Sequence, residues 1–237
     1  MTEAVAGGPS DDRWPGPIAD DLLRAVLAAS RGSLPRYLIR ERAGAARRLD
    51  VVLRAALFCD LARAGLVVAE RGPVAASHPG SSSGRVPVAQ DTVRAEVEAD
   101  RILTAVLAAV ARRPGVSWTR WFRHVRQDRA ALVSRLVASG RWTAQGANRF
   151  LDRDPGGAER LATRMFTVSE LIEAPSDGRE TVLGYLYALS GLGLSTERAL
   201  GWDVRLAGLD ETPDGATTRA VLAAARSVIR RGRFGRR

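Results

Sequence analysis

The sequence contains no lysine, and all 36 of its basic residues are arginine. It has a single cysteine, Cys59, which excludes a disulfide framework and a cysteine-rich zinc site. The neighbours of Cys59 are apolar, so we expect a packed thiol there and not a nucleophile. The two histidines, His78 and His124, have no metal-ligating partner at a suitable spacing. The sequence therefore predicts no metal and no other cofactor.

Long apolar runs are also missing. No stretch approaches the ~18 consecutive apolar residues of a membrane-spanning helix. The first residues, MTEAVAGGPSDDRWPG, lack the basic start and the apolar core of a signal peptide. These absences predict a cytoplasmic protein, and any contact with a membrane is expected to be peripheral.

Catalytic signatures are equally scarce. No serine occupies a G-x-S-x-G motif, and the segment GLGLS near Gly191 lacks the third glycine of a dinucleotide-binding motif. The paired acids Asp11/Asp12 and Asp20/Asp21 lie in a loose leader and in the first turn of a helix, where capping and solubility account for them. We therefore expect that the protein is not an enzyme.

Arginine is present in excess, and it is unevenly distributed. Ten arginines and one acid lie between residues 101 and 150, and seven arginines and no acid lie between residues 219 and 237. The rest of the chain is net negative, although the whole chain has a formal charge of +10. Segregated positive charge indicates an anionic partner such as nucleic acid, a phosphorylated ligand or a membrane surface.

The spacing of apolar residues predicts a mostly α-helical protein. The segment TVLGYLYALSGLGL, residues 181–194, is apolar on every side and is expected to form a central helix. The other helices are expected at about residues 20–29, 49–64, 94–112, 117–139 and 217–231.

One or two small β-hairpins are expected beside the helices. The first lies near residues 66–89. The second has RWTAQG and RMFTVS as its strands, which flank the loop DPGG, with some helical material between them. The predicted organisation is a flexible leader at residues 1–16, a single helical domain at residues 17–230 and a basic tail at residues 231–237.

Residues 117–129, SWTRWFRHVRQDR, combine aromatic residues with an arginine at every third position. Trp118 and Trp121 recur at helical spacing with later apolar residues, so we expect them to face the core. Arg129 lies in the same row, and Arg54 lies between two leucines of an earlier helix. Burying an arginine costs several kcal/mol unless a carboxylate or another anion meets it. Two interpretations stay open: salt bridges to distant acids, or one anion pocket between two helices with both tryptophans behind it.

Four segments resemble the Golgi phosphoprotein 3 family. LRAALFCDLARAGLVVAE, residues 53–70, resembles a helix that opens with Leu-Arg and ends in acid-Leu-Ala-x-x-Gly before a strand. RHVRQDRAALVSRLVASG, residues 123–140, resembles the family's arginine-rich helix, which ends in Leu-Val-x-x-Gly before a β-hairpin. TVLGYLYALSGLGL is similar to its late central helix, and DDLLRAVL is similar to its first helix. The resemblance extends over roughly residues 17–230, and the lysine-free composition indicates a bacterial member.

The resemblance implies a mostly helical protein that lies on membranes and binds a phosphoinositide-like head group in a basic pocket. Matched residue by residue, the pocket arginines are Arg54, Arg126 and Arg129. The family's pocket tryptophan has no counterpart, because Ala45 stands in its place.

The hairpin beside the pocket is the expected contact with the membrane. In this chain the hairpin lies within residues 141–169, and its aromatic residues Trp142 and Phe150 are expected to be at least partly exposed for that contact. The same hairpin is the expected place of a homo-oligomer contact. The expected partner is therefore an anionic membrane lipid.

Nucleic-acid binding is the main alternative. Both RLDVVLRAALFCDLARAGLVV and RAALVSRLVASGRWT follow a pattern common in winged helices, where a helix ends in glycine before a strand. A helix that reads a DNA groove needs a free polar face, whereas Arg129 and the aromatic residues predict a packed helix. A protein-binding scaffold is a third possibility, for which the sequence has no positive feature.

Overall fold

The computed structural model describes residues 16–30, 43–69, 73–75, 95, 98–123, 128–146, 149–170, 177–191, 202–212 and 214–234. The helices are α1 (Ile18–Ala29), α2 (Ala43–Arg63), α3 (Arg101–Ala111), α4 (Trp118–Arg123), α5 (Asp128–Ala138), α6 (Pro155–Glu170), α7 (Gly178–Ser190), α8 (Trp202–Ala207) and α9 (Gly215–Phe234), with a 3-10 turn at Gly208–Glu211. The strands are β1 (Val67–Ala69), β2 (Pro73–Ala75), β3 (Trp142–Gly146) and β4 (Arg149–Asp152). The fold is mostly α-helical with two small antiparallel sheets, which confirms the predicted fold class.

Helices α2 and α7 form the centre of the fold. In α2, every residue from Val51 to Ala62 is buried except Arg54. In α7, every residue from Thr181 to Tyr187 is buried, which confirms the predicted central position for this part of the segment 181–194. Residues 192–194 lie outside the described part. Helices α1, α7 and α9 pack against α2, and α6 packs against α1 and α7. A Cβ atom on Gly184 of α7 would lie 2.6 Å from Cγ1 of Val168, so glycine permits the close approach of α6 and α7.

The N-terminus of α1 is held by a carboxylate from α2. Pro17 precedes α1 in an extended conformation and provides no side-chain cap. Instead, the Ile18 N–H donates to both carboxylate oxygens of the fully buried Asp60, at 3.0 and 3.2 Å. Burial raises the pKa of Asp60 to about 7, although the Ile18 hydrogen bond and the positive charges of Arg63 and Arg179 act in the opposite direction.

One predicted strand is wrong. The first hairpin, β1–β2, lies within the predicted region 66–89, of which residues 70–72 and 76–89 are outside the described part. In the second hairpin, β3 pairs with β4, so the second strand is RFLD and not RMFTVS. RMFTVS belongs to α6, which starts at Pro155, just after Asp154. The Asp154 side chain accepts a hydrogen bond from the Gly157 N–H at 2.9 Å, and an aspartate followed by proline favours a helix start.

The ends of several elements also differ from the predicted ones. The predicted helix 94–112 corresponds mainly to α3, which begins at Arg101. Asp100 caps this start, because its side chain accepts hydrogen bonds from two N–H groups of the first turn. The predicted helix 117–139 corresponds to α4 and α5, with residues 124–127 outside the described part. Helix α9 continues to Phe234, so residues 231–234 of the predicted tail are helical. No described helix is both long and apolar enough to cross a membrane.

Candidate anion-binding site

Arg54 and Arg129 lie beside the same turn of α2. Arg129, in α5, has its Nε atom 3.6 Å from Oδ1 of Asp50 in α2. Asp50 precedes Arg54 by four residues, and side chains at this spacing are neighbours on a helix surface. Both arginines are half-buried. Arg129 therefore has a carboxylate partner, as the salt-bridge interpretation predicts, and this partner lies one turn before Arg54 on α2. Arg126 lies outside the described residues.

A cluster of aromatic rings lies one helical turn further along α2. Phe58 contacts Trp118, Trp121 and Phe122 of α4, with ring centroids 5.0, 5.9 and 6.0 Å away and near-perpendicular ring planes. Trp118 and Phe122 are buried and Trp121 is half-buried, which confirms the predicted inward orientation of these rings. Edge-to-face contacts of this kind add about 0.5–1.5 kcal/mol each beyond area burial. The cluster therefore fixes α4 against the same side of α2 that carries Arg54.

Two polar groups of this cluster have no hydrogen-bond acceptor in the described part of the chain. The indole Nε1 atoms of Trp118 and Trp121 are both buried and form no hydrogen bond. An indole N–H donates and cannot accept, and leaving such a buried donor unsatisfied costs about 1–3 kcal/mol. Donors of this kind suit an oxyanion with several acceptor oxygens.

Most other half-buried arginines hold the helices together. Arg135 of α5 donates to Asp20 of α1 and to Asp100 at the start of α3. Arg179 of α7 donates to Asp21 at 2.6 Å. The expectation that Asp20 and Asp21 serve only helix capping and solubility is therefore wrong, because both face arginines of other helices. Burial raises the pKa of Asp20, and the Arg135 guanidinium counteracts this rise.

The hairpin has an outer and an inner side, and Trp142 lies on the inner one. Its side chain is 1% exposed, and its Nε1 atom donates to Asp152 at 3.1 Å. Asp152 also accepts from Arg24 of α1, at 2.9 and 3.2 Å. The expected exposure of Trp142 is wrong, because cross-strand pairing places it opposite Asp152 and faces it towards α1. Phe150 is half-buried, as expected, and Leu151 is 49% exposed.

The surface of α5 is poor in positive charge. Its exposed residues are Ala130, Ala131, Ser134, Val137 and Ala138. Arg129 and Arg135 face the carboxylates of other elements. Along the part of α5 whose side chains are described, no exposed arginine lies where a winged helix would contact phosphates.

Comparisons of this chain with models of known protein families, with curated proteins and with solved structures found no match.

Proposed function

We propose that the protein is a peripheral membrane protein that binds an anionic, phosphoinositide-like lipid head group through Arg54, Arg126 and Arg129. The observation that supports this proposal is the position of Arg54 one turn after Asp50, the partner of Arg129, on the helix whose Phe58 contacts Trp118 and Trp121. The buried indole N–H groups of these two tryptophans have no acceptor in the described part. The resemblance to the Golgi phosphoprotein 3 family points to the same arginines.

The site would bind phosphate through several kinds of donor. A guanidinium group holds a phosphate through two parallel N–H···O bonds, and partial burial strengthens this attraction. Asp50 holds the Arg129 guanidinium between α2 and α5, so less side-chain entropy is lost when a head group binds. The indole N–H groups of Trp118 and Trp121 add donors for further oxygens, which favours a phosphorylated inositol over a simple anion.

The β3–β4 hairpin is the proposed contact with the membrane. Leu151 presents apolar surface on the outer side of the hairpin, and the exposed Arg149 shares this side of β4. Arg153, just after the strand, is also exposed, whereas the half-buried Phe150 packs on Trp142 on the inner side. Apolar side chains beside arginines suit the interface of an anionic bilayer. We further propose that the protein is cytoplasmic and associates peripherally with the membrane through this hairpin. A homo-oligomer through the hairpin is the competing use of this surface.

Nucleic-acid binding gains less support. The exposed face of α5 carries small and apolar residues, whereas groove-reading helices use basic and polar ones. No observation favours this alternative over the head-group site, and DNA therefore serves as a competing ligand in the test.

Arg129→Gln is expected to weaken binding to phosphatidylcholine vesicles that contain phosphatidylinositol phosphate by about tenfold, because charge-assisted hydrogen bonds contribute ~1.5–3 kcal/mol. Arg120→Gln removes the same charge from an exposed position on α4 and should change binding by less than about threefold. Arg126→Ala should resemble Arg129→Gln. Co-sedimentation with the vesicles measures all three.

Vesicles with phosphatidylserine at the same surface charge provide the lipid control. The contrary result is that Arg129→Gln and Arg120→Gln weaken vesicle binding equally and that both losses of binding vanish at high salt. This result would mean that bulk electrostatics, and not a specific site, governs binding. Tighter binding to duplex DNA than to any vesicle, measured at two salt concentrations, would favour the nucleic-acid alternative.

A further inference from the structure

A second cationic groove lies along α9, away from the site between α2 and α5. Its volume is about 770 Å³, which is within the range of small-molecule sites. It is bordered by the exposed face of α9 and by residues of α7 and α8. The opposite face of α9, with Val221, Leu222 and Ala225, is buried and packs against α2 and α4. The two sites are therefore separate.

Four arginines of α9 line this groove: Arg219, Arg226, Arg230 and Arg231. The first three are spaced by seven and four residues, so they lie along one side of the helix over about 16 Å. Guanidinium groups donate hydrogen bonds and can hold a phosphate in a bidentate way, so four of them beside one groove suit an anionic ligand.

The floor of the groove is apolar. Tyr185 of α7 and Leu206 of α8 are buried beneath it, and three alanines of α9 leave space above them. A groove with an apolar floor and a cationic border matches a ligand that has an apolar body and a phosphate group. A small inorganic anion would use the arginines and leave the floor without contacts.

We propose that the α9 groove binds a phosphate-bearing amphiphile, with the phosphate held by Arg226 and Arg230 and the apolar body against Tyr185 and Leu206. The ligand chemistry is shared by a membrane phospholipid and by a dissolved phosphorylated amphiphile. This site does not depend on the head-group site between α2 and α5. If both sites bind lipid, vesicle binding is bivalent and exceeds the affinity of either site alone.

The test is a calorimetric titration with short-chain phosphatidic acid below its micelle-forming concentration, beside a titration with inorganic phosphate. The wild-type chain should bind the amphiphile at least tenfold more tightly than phosphate. Arg226→Gln/Arg230→Gln should weaken amphiphile binding about tenfold. Arg112→Gln/Arg113→Gln, which removes two exposed charges after α3, should leave it unchanged. Ala223→Trp, which fills the groove without changing charge, should abolish the preference for the amphiphile over phosphate.

An equal loss of amphiphile affinity in the two double variants would overturn the proposal in favour of diffuse electrostatic attraction. An unchanged preference for the amphiphile over phosphate in Ala223→Trp would overturn it as well. Vesicles of phosphatidylcholine with phosphatidic acid distinguish the two sources: binding to them points to a bilayer lipid, and binding to the dissolved amphiphile alone points to a free ligand. The same titration with Arg129→Gln separates the two sites. If amphiphile affinity falls only in Arg129→Gln, the amphiphile binds at the head-group site, and this result contradicts binding at the α9 groove.

Discussion

Replacing Trp142 with serine is expected to lower the free energy of unfolding by about 3–5 kcal/mol, as for other deletions of a large buried aromatic side chain. The indole is 1% exposed, and its N–H donates to Asp152. Serine leaves a cavity beneath the hairpin and removes one of the donors to this carboxylate. For a chain of this length, the loss corresponds to a fall in melting temperature of the order of 10 °C.

Leu151→Ser provides the matched control. Leu151 lies on the paired strand β4 and is 49% exposed, so its replacement should change stability by less than about 0.5 kcal/mol. If Leu151 contacts the membrane, this variant should bind anionic vesicles more weakly than the wild type while melting at the same temperature. A Trp142→Ser protein that melts like the wild type would show that the hairpin is not fastened to α1 through Trp142 and Asp152.

Asp60→Asn is expected to remove a pH dependence of folding. Burial raises the pKa of Asp60 in the folded protein to about 7, from an ordinary value of 3.8. Between these two values, the folded state holds a proton that the unfolded state releases. The stabilising contribution of the protonated carboxyl is therefore complete below about pH 4 and is lost as the pH rises through 7. This difference between the folded and unfolded pKa values corresponds to a change in the free energy of unfolding on the order of 4 kcal/mol.

Urea unfolding of the wild type and of Asp60→Asn between pH 4 and pH 8 measures this pH dependence of the free energy of unfolding. Asparagine keeps an oxygen that accepts from the Ile18 N–H and has no charge to bury. Relative to the wild type, Asp60→Asn should become progressively more stable as the pH rises. Asp60→Ala, which removes the acceptor, should be less stable than Asp60→Asn at every pH. A constant difference between wild type and Asp60→Asn across this range would contradict the raised pKa.

Helices that bury one continuous row of apolar side chains could be predicted from the sequence. The apolar repeat of α2 predicted residues 49–64, and the structure has Ala43–Arg63, followed by Gly65 with a φ of +65° that only glycine adopts readily. The helical material expected after DPGG corresponds to the first part of α6, but the second part, RMFTVS, was assigned to a strand because of its aromatic and β-branched residues. The position of strand β4 was missed for the same reason.

The candidate site was only partly predictable. Helical spacing singled out Arg54 and Arg129, because an arginine in an apolar row needs an anionic partner. It could not identify Asp50 as that partner, since the contact joins two helices that are distant in the sequence. The pair Arg24 and Asp152, separated by 128 positions, shows the same limit. The burial of Trp142 likewise depended on its pairing with Asp152, which no local pattern encodes.

The most direct test of the head-group site is a titration of the ¹⁵N-labelled protein with a water-soluble inositol phosphate, followed by the indole N–H signals in ¹H–¹⁵N spectra. The signals of Trp118 and Trp121 are expected to shift, because their N–H groups gain an acceptor. The signal of Trp142, which is already bonded to Asp152, should stay in place.

The shifts should disappear in the Arg54→Gln/Arg129→Gln variant while the rest of its spectrum is retained. Signals of Trp118 and Trp121 that do not move, or that move equally in the double variant, would contradict a head-group site between α2 and α5.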